Sequence, residues 1–161
     1  ETPHHYAMLG YQLRNTVTEF GSVARGVCHV QDGMLLDITE RTKIFKRGQD
    51  AAYTEDGETF VPLSGDTQVS MNFWGFMPSI FPALRTYFEN FLRGLPDDAV
   101  KAECLLPVMV GEELKAGRIE VSVLHSKDKW FGMTYHEDKE MVQRELQKLH
   151  DAGVYPKTLR A

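Results

Sequence analysis

The sequence predicts an α/β or α+β fold, a mixed β-sheet carrying a β-hairpin with three helices flanking it. Three observations predict it. Two strand patterns, residues 23–31 and 34–39, are joined by Asp32-Gly33, and a strand, Asp-Gly and a second strand form a strong short-range hairpin signal. Residues 69–76 alternate along a strand and pass directly into a helical apolar repeat. Downstream, residues 103–153 read as helix, strand and helix in succession.

Taken in order, residues 6–13 (YAMLGYQL) have strand length and an apolar, aromatic composition, and residues 1–5 before them look cut from something longer. In the hairpin, Ala24, Gly26, Cys28 and Val30 share one face, opposite Arg25, Val27, His29 and Gln31. Residues 43–58 are polar, contain a second Asp-Gly at Asp56-Gly57, and are expected to loop out. A short strand is expected over 60–63 and a longer one over 68–76. In the longer strand Ser70, Asn72 and Trp74 fall on one face and Val69, Met71 and Phe73 on the other, a pattern suited to the wall of a ligand cleft.

The first helix follows, with Ile80, Phe81, Leu84, Tyr87, Phe88, Phe91 and Leu92 at helical spacing, Pro78 and Pro82 near its start and Gly94 at its close. A second is expected over 103–116, with Pro107 in its first turn and Gly117 as its stop. Residues 118–124 alternate through Ile119, Val121 and Val123 as a strand. Thr134-x-x-Glu137 is a capping-box pattern opening a third helix to Gly153, with Val142, Leu146 and Leu149 as its expected buried stripe. Glu137 and Asp138 in its first turn and Lys148 and His150 in its last agree with the helix dipole.

At 161 residues, 42% apolar and 25% charged, the chain suits one domain of ordinary globular composition. A net charge of −5 and scattered cations argue against a nucleic-acid backbone as partner. There is no apolar run of membrane-spanning length, and a cytoplasmic setting is expected. Cys28 and Cys104 are too few and too far apart for a disulfide framework or a thiolate metal site. The six histidines are dispersed, without metal-site spacing.

Three segments, in order, carry a resemblance. They are Phe20-Gly21-Ser22-Val23 through Asp32-Gly33 to Ile38-Thr39-Glu40-Arg41-Thr42; then Met71-Asn72-Phe73-Trp74-Gly75-Phe76; then Glu103-Cys104-Leu105-Leu106-Pro107 followed by Trp130-Phe131-Gly132-Met133-Thr134. Together, over residues 6–155, they resemble the C-terminal half of a sugar-1-phosphate nucleotidyltransferase of the glucose-1-phosphate uridylyl- and thymidylyltransferase type. Such enzymes join a nucleoside triphosphate to a sugar 1-phosphate and release pyrophosphate. In that family a Phe/Tyr-Gly-Val segment, a DG turn and a Glu-Lys-Pro line the sugar pocket, and Glu40-Arg41-Thr42 stands here for the last.

The resemblance implies a nucleotide-diphospho-sugar transferase-like fold and a sugar 1-phosphate site on this chain. Gly21 would approach the sugar hydroxyls with its backbone, and Glu40 would accept hydrogen bonds from two of them. Arg41 would meet the phosphate, as a bidentate fork in place of a lysine. Asn72 would stand in the pocket wall, with Trp74 and Trp130 as further wall residues. The glycine-rich nucleotide loop and the first metal-binding aspartate belong to the family's N-terminal half, which this chain does not contain. UTP or dTTP and Mg²⁺ are therefore expected mainly outside these residues, and the chain alone should not turn over. Gly132 stands near where the second metal-binding aspartate is expected.

Other readings of the same residues stand beside these. Glu40 is equally a solvated strand end, Gly21 a residue that relieves a turn, Asn72 a group that satisfies backbone, and the two tryptophans core packing. A non-catalytic sugar-phosphate-binding or interaction module is the alternative to the enzyme. If residues 6–13 pair with strands upstream, the chain exposes a sheet edge there, and either self-association through that edge or its burial by a rearranged terminus is expected.

Overall fold

The computed structural model describes residues 3–19, 21–132, 138–156 and 158. The chain divides into two compact units, Glu1–Asp128 and Lys129–Ala161. The architecture is mixed α+β, with one seven-stranded sheet and three α-helices among the described residues.

The first unit holds the sheet, made of β1 (His4–Gln12), β2 (Val23–Gln31), β3 (Met34–Arg47), β4 (Asp50–Tyr53), β5 (Val61–Leu63), β6 (Gln68–Gly75) and β7 (Ile119–Ser126). Its order is β2-β6-β1-β7-β3-β4-β5, and β2 also pairs with β3, so five strands join in a closed ring. The β2–β3 hairpin turns on Asp32 (φ 51°) and Gly33 (φ 76°), the two left-handed residues that a primed turn needs. At its start β3 bridges β7 through Met34 and Ser122; at its end it pairs β4 through residues 44–47.

Two expectations are corrected here. Residues 43–58 do not loop out as a whole: Ile44 is buried as part of β3, and Ala51 and Ala52 are buried on β4, so a polar segment is held by a few small or apolar side chains. A turn remains around Asp56, whose Oδ1 accepts from the backbone N–H groups of Glu58 and Thr59 at 2.8 Å each. The other correction concerns residues 6–13. β1 is flanked by β6, antiparallel, and by β7, parallel, so its backbone offers no free edge for self-association.

The unit has two apolar clusters. One joins Tyr6, Met8, Cys28, Leu35, Ile38, Val121 and Val123 to Ile80, Met109 and Val110 of α1 (Ile80–Arg93) and α2 (Leu106–Lys115). The other gathers Leu13, Ile44, Ala51 and Val69. α2 sits close on β3, for a Cβ added to Gly111 would lie 3.2 Å from the Ile38 carbonyl oxygen. Only Ile80 of α1 is fully buried, and Phe81, Phe88 and Leu92 face solvent, because seven apolar residues span more of the helix than one sheet face can cover.

In the second unit, α3 (Asp138–Asp151) ends with Gly153 at φ 73° and a Val154 N–H bonded to the Leu149 carbonyl, the backbone pattern of a Schellman stop. Its expected buried stripe is only partly covered: Val142 and Leu149 are half-buried and Leu146 is 38% exposed. The capping-box residues Thr134 and Glu137, with Met133, lie outside the described residues, as does Phe20.

Candidate functional site

The geometry around Glu40 follows from strand register. Directly paired residues of neighbouring antiparallel strands carry their side chains on the same face. Gly10 pairs with Ser70, Ser70 with Gly26, and Gly26 with Glu40, so one row crosses β1, β6, β2 and β3. Two of its four members have no side chain. Over Gly26 the space is taken, since an added Cβ would lie 2.9 Å from Ile38 Cδ1 and 3.3 Å from Pro107 Cβ. The row is thus roofed by the first turn of α2 and opens toward half-buried Glu40.

Oε2 of Glu40 is buried without a hydrogen-bond partner among the described residues. Burial pushes the carboxyl up from its ordinary range; Arg25 opposes that shift and Glu103 adds to it. Burial also lowers Arg25, against the attraction of Glu40, so on both partners loss of solvent outweighs their mutual attraction. The Arg25 guanidinium donates to the carbonyls of Ala24 and Thr16. Cys28, on the same face, has its thiol pushed up to about 12, chiefly by burial.

Arg41 takes the opposite side of β3. It donates to Glu55 at 2.6 Å and lies 4.3 Å from the centroid of the Tyr53 ring. Consecutive strand residues point to opposite faces, so Glu40 and Arg41 cannot both reach a small ligand on one face without local rearrangement. Arg25 is the cation that acts on Glu40.

Asn72 lies in a bulge of β6, where the register with β1 slips between Met8 and Gly10. Its φ of 57° is left-handed, a conformation that asparagine tolerates better than most residues. Its N–H donates to Ser70 Oγ at 3.1 Å, and its Oδ1 accepts from Trp74 Nε1 at 3.4 Å. Trp74 stacks on Phe76 at 5.5 Å, Phe76 meets Tyr6 edge-on at 5.3 Å, and the Tyr6 hydroxyl bonds Ser79 Oγ at 2.8 Å. Asn72 and Trp74 are thus joined side chain to side chain and backed by two aromatics.

Gly21 stands elsewhere. At φ 79° it lines a polar cleft of about 460 Å³ with Thr18, Glu19, Lys46, Arg47 and Gln49, and Glu40 is not among its walls. Nothing lies within 4 Å of a Cβ added there, so backbone conformation rather than close approach calls for glycine. The structure brings Gly26, not Gly21, opposite Glu40.

Trp130 belongs to the second unit and is 40% exposed. Its indole lies over Gly132, where an added Cβ would come within 2.1 Å of Cη2. A side chain at that position would have to displace the Trp130 ring. Among the described residues no three His, Cys, Asp or Glu side chains gather as metal ligands would, and no helix is long and apolar enough to cross a membrane. Comparison with known protein families and with curated protein sequences gives no match.

Proposed function

We propose that this chain binds a sugar 1-phosphate at the Glu40 end of the Gly26–Ser70 row, as the sugar side of a sugar-1-phosphate nucleotidyltransferase. The observation that carries this reading is the Glu40 carboxylate, set opposite a glycine with one buried oxygen that has no donor among the described residues. An ionised carboxylate only accepts hydrogen bonds, and sugar hydroxyls are the donors that suit it. Asn72 and Trp74 stand as wall, whereas Arg25, the ladder partner of Arg41, lies on the other face and is not assigned to the phosphate.

In the proposed reaction a phosphate oxygen of the sugar 1-phosphate attacks the α-phosphorus of UTP or dTTP, the new P–O bond forms, and pyrophosphate leaves. This chain's residues bind and orient the sugar. The triphosphate and Mg²⁺ are assigned to residues outside this chain. The second reading, a non-catalytic sugar-phosphate-binding module, is favoured by one observation: Arg41 is engaged by Glu55 and Tyr53 on the opposite face.

Calorimetric titration with glucose 1-phosphate tests the site. Binding that falls at least about tenfold in Glu40→Gln, with Arg41→Ala within about twofold, supports it. Equal binding by wild type and Glu40→Gln contradicts it. Turnover by a longer chain that contains these residues separates the enzyme from the module.

A further inference from the structure

We propose that the solvent-facing side of α1 is a two-fold interface, and that its occupant is a second copy of this chain. Met77, Phe81, Phe88 and Leu92 lie three or four residues apart, or multiples of that, and expose 61%, 67%, 50% and 49% of their surface. Phe88 stacks on Phe91 at 6.5 Å. The stripe continues into an apolar groove of about 540 Å³ between α1 and the start of α2, lined by Leu84, Leu105, Leu106 and Met109 besides Phe81 and Phe88.

Area and charge both point to self-pairing. With ~150–250 Å² for a whole aromatic side chain, the stripe and groove wall present roughly 400–600 Å² per copy. Two copies would bury about 800–1,200 Å², the range of weak, transient interfaces, from a patch at the upper end of what a monomer leaves exposed. The charges on the stripe are self-complementary. Among the described residues, exposed Arg85 makes no ion pair, and Glu89 one turn on pairs with Arg93 at 3.2 Å.

Antiparallel pairing of two α1 helices about a point between Arg85 and Phe88 sets Phe81 against Leu92 of the partner subunit. The same register lays the Arg85 guanidinium over Phe88 of the partner subunit, within reach of Glu89 of the partner subunit. Leu92 of each copy then enters the groove of the other. This surface is independent of the Glu40 site, and it offers self-association a place that the paired β1 strand does not.

Sedimentation velocity across the micromolar range tests the proposal. The expected result is a monomer–dimer equilibrium, weakened at least about tenfold by Phe81→Glu and by Phe88→Glu. Both side chains are exposed, so circular dichroism should show the fold retained. Val61→Lys, on the free sheet edge at β5, should leave the equilibrium unchanged. Arg85→Glu should weaken it and Arg85→Glu with Glu89→Arg should restore it. A monomer at every concentration, a dimer insensitive to both Phe variants, or no rescue by the double reversal would overturn the two-fold pairing.

Discussion

Gly26 lies directly opposite Glu40 across the β2–β3 ladder, with Ile38 Cδ1 and Pro107 Cβ filling the space where its side chain would be. A methyl group at Gly26 must displace one of them. Gly26→Ala is therefore expected to cost about 1–3 kcal/mol in denaturant unfolding. Adding Ile38→Val, which removes the Cδ1 atom at 2.9 Å, should return part of that loss. Equal stability of Gly26→Ala and wild type would mean that α2 does not press on this row.

The Glu40 carboxyl gives a signed pH dependence. Its folded-state pKa is raised above the unfolded value by burial, so the native state holds that proton more tightly. Its contribution to stability is fully present below the ordinary glutamate value and is lost as pH rises through the folded-state pKa. Glu40→Gln should match wild type in acid and gain on it as pH rises from about 4 toward 7, in melting curves taken side by side. A wild type that gains on the variant with rising pH would reverse the sign and remove the argument from burial.

The two thiols should separate by reactivity. Cys28 is buried and its thiol is pushed up to about 12, so it carries almost no thiolate at neutral pH. Cys104 is only half-buried and lines the groove beside α1. Alkylation of the native chain followed by peptide mass spectrometry should label Cys104 first, with Cys28 reacting only after unfolding. Prompt labelling of Cys28 would show that β2 opens readily.

Arg41 is held by a carboxylate and an aromatic ring together. The Glu55 side chain is 63% exposed, so the ion pair itself contributes little, within about 1 kcal/mol. Stacking on Tyr53 adds a comparable amount, about 0.5–1 kcal/mol. Glu55→Gln should barely move the unfolding midpoint, and Arg41→Ala should lower it more. The reverse order would assign the arginine's role to charge.

Much of the fold was legible because local chemistry agreed with tertiary structure. Asp32-Gly33, the alternation of β7 and the apolar repeat of α1 each specify their element within a few residues. Register was not legible. Counting back from the turn, an unbroken hairpin sets Arg25 opposite Glu40, a ready ion pair. The ladder instead slips between His29 and Val30, where Leu35 and Asp37 are consecutive partners and Leu36 is extra. That one residue puts Gly26 opposite Glu40 and Arg25 opposite Arg41. A bulge of this kind has no composition signal, and neither does the left-handed Asn72 that breaks the alternation of β6. The site proposed here therefore keeps Glu40, Asn72 and Trp74 from the sequence reading and takes Gly26 in place of Gly21. Arg41, adjacent in sequence, is turned away by strand pleating alone.

Amide chemical-shift mapping of this chain with glucose 1-phosphate tests the central claim most directly, with glucose and inorganic phosphate titrated separately. The account predicts shifts at Gly26, Glu40, Ser70 and Asn72 with the sugar phosphate, lost in Glu40→Gln. Shifts confined to the cleft of Thr18, Gly21, Lys46 and Arg47, or none near Glu40, would contradict it.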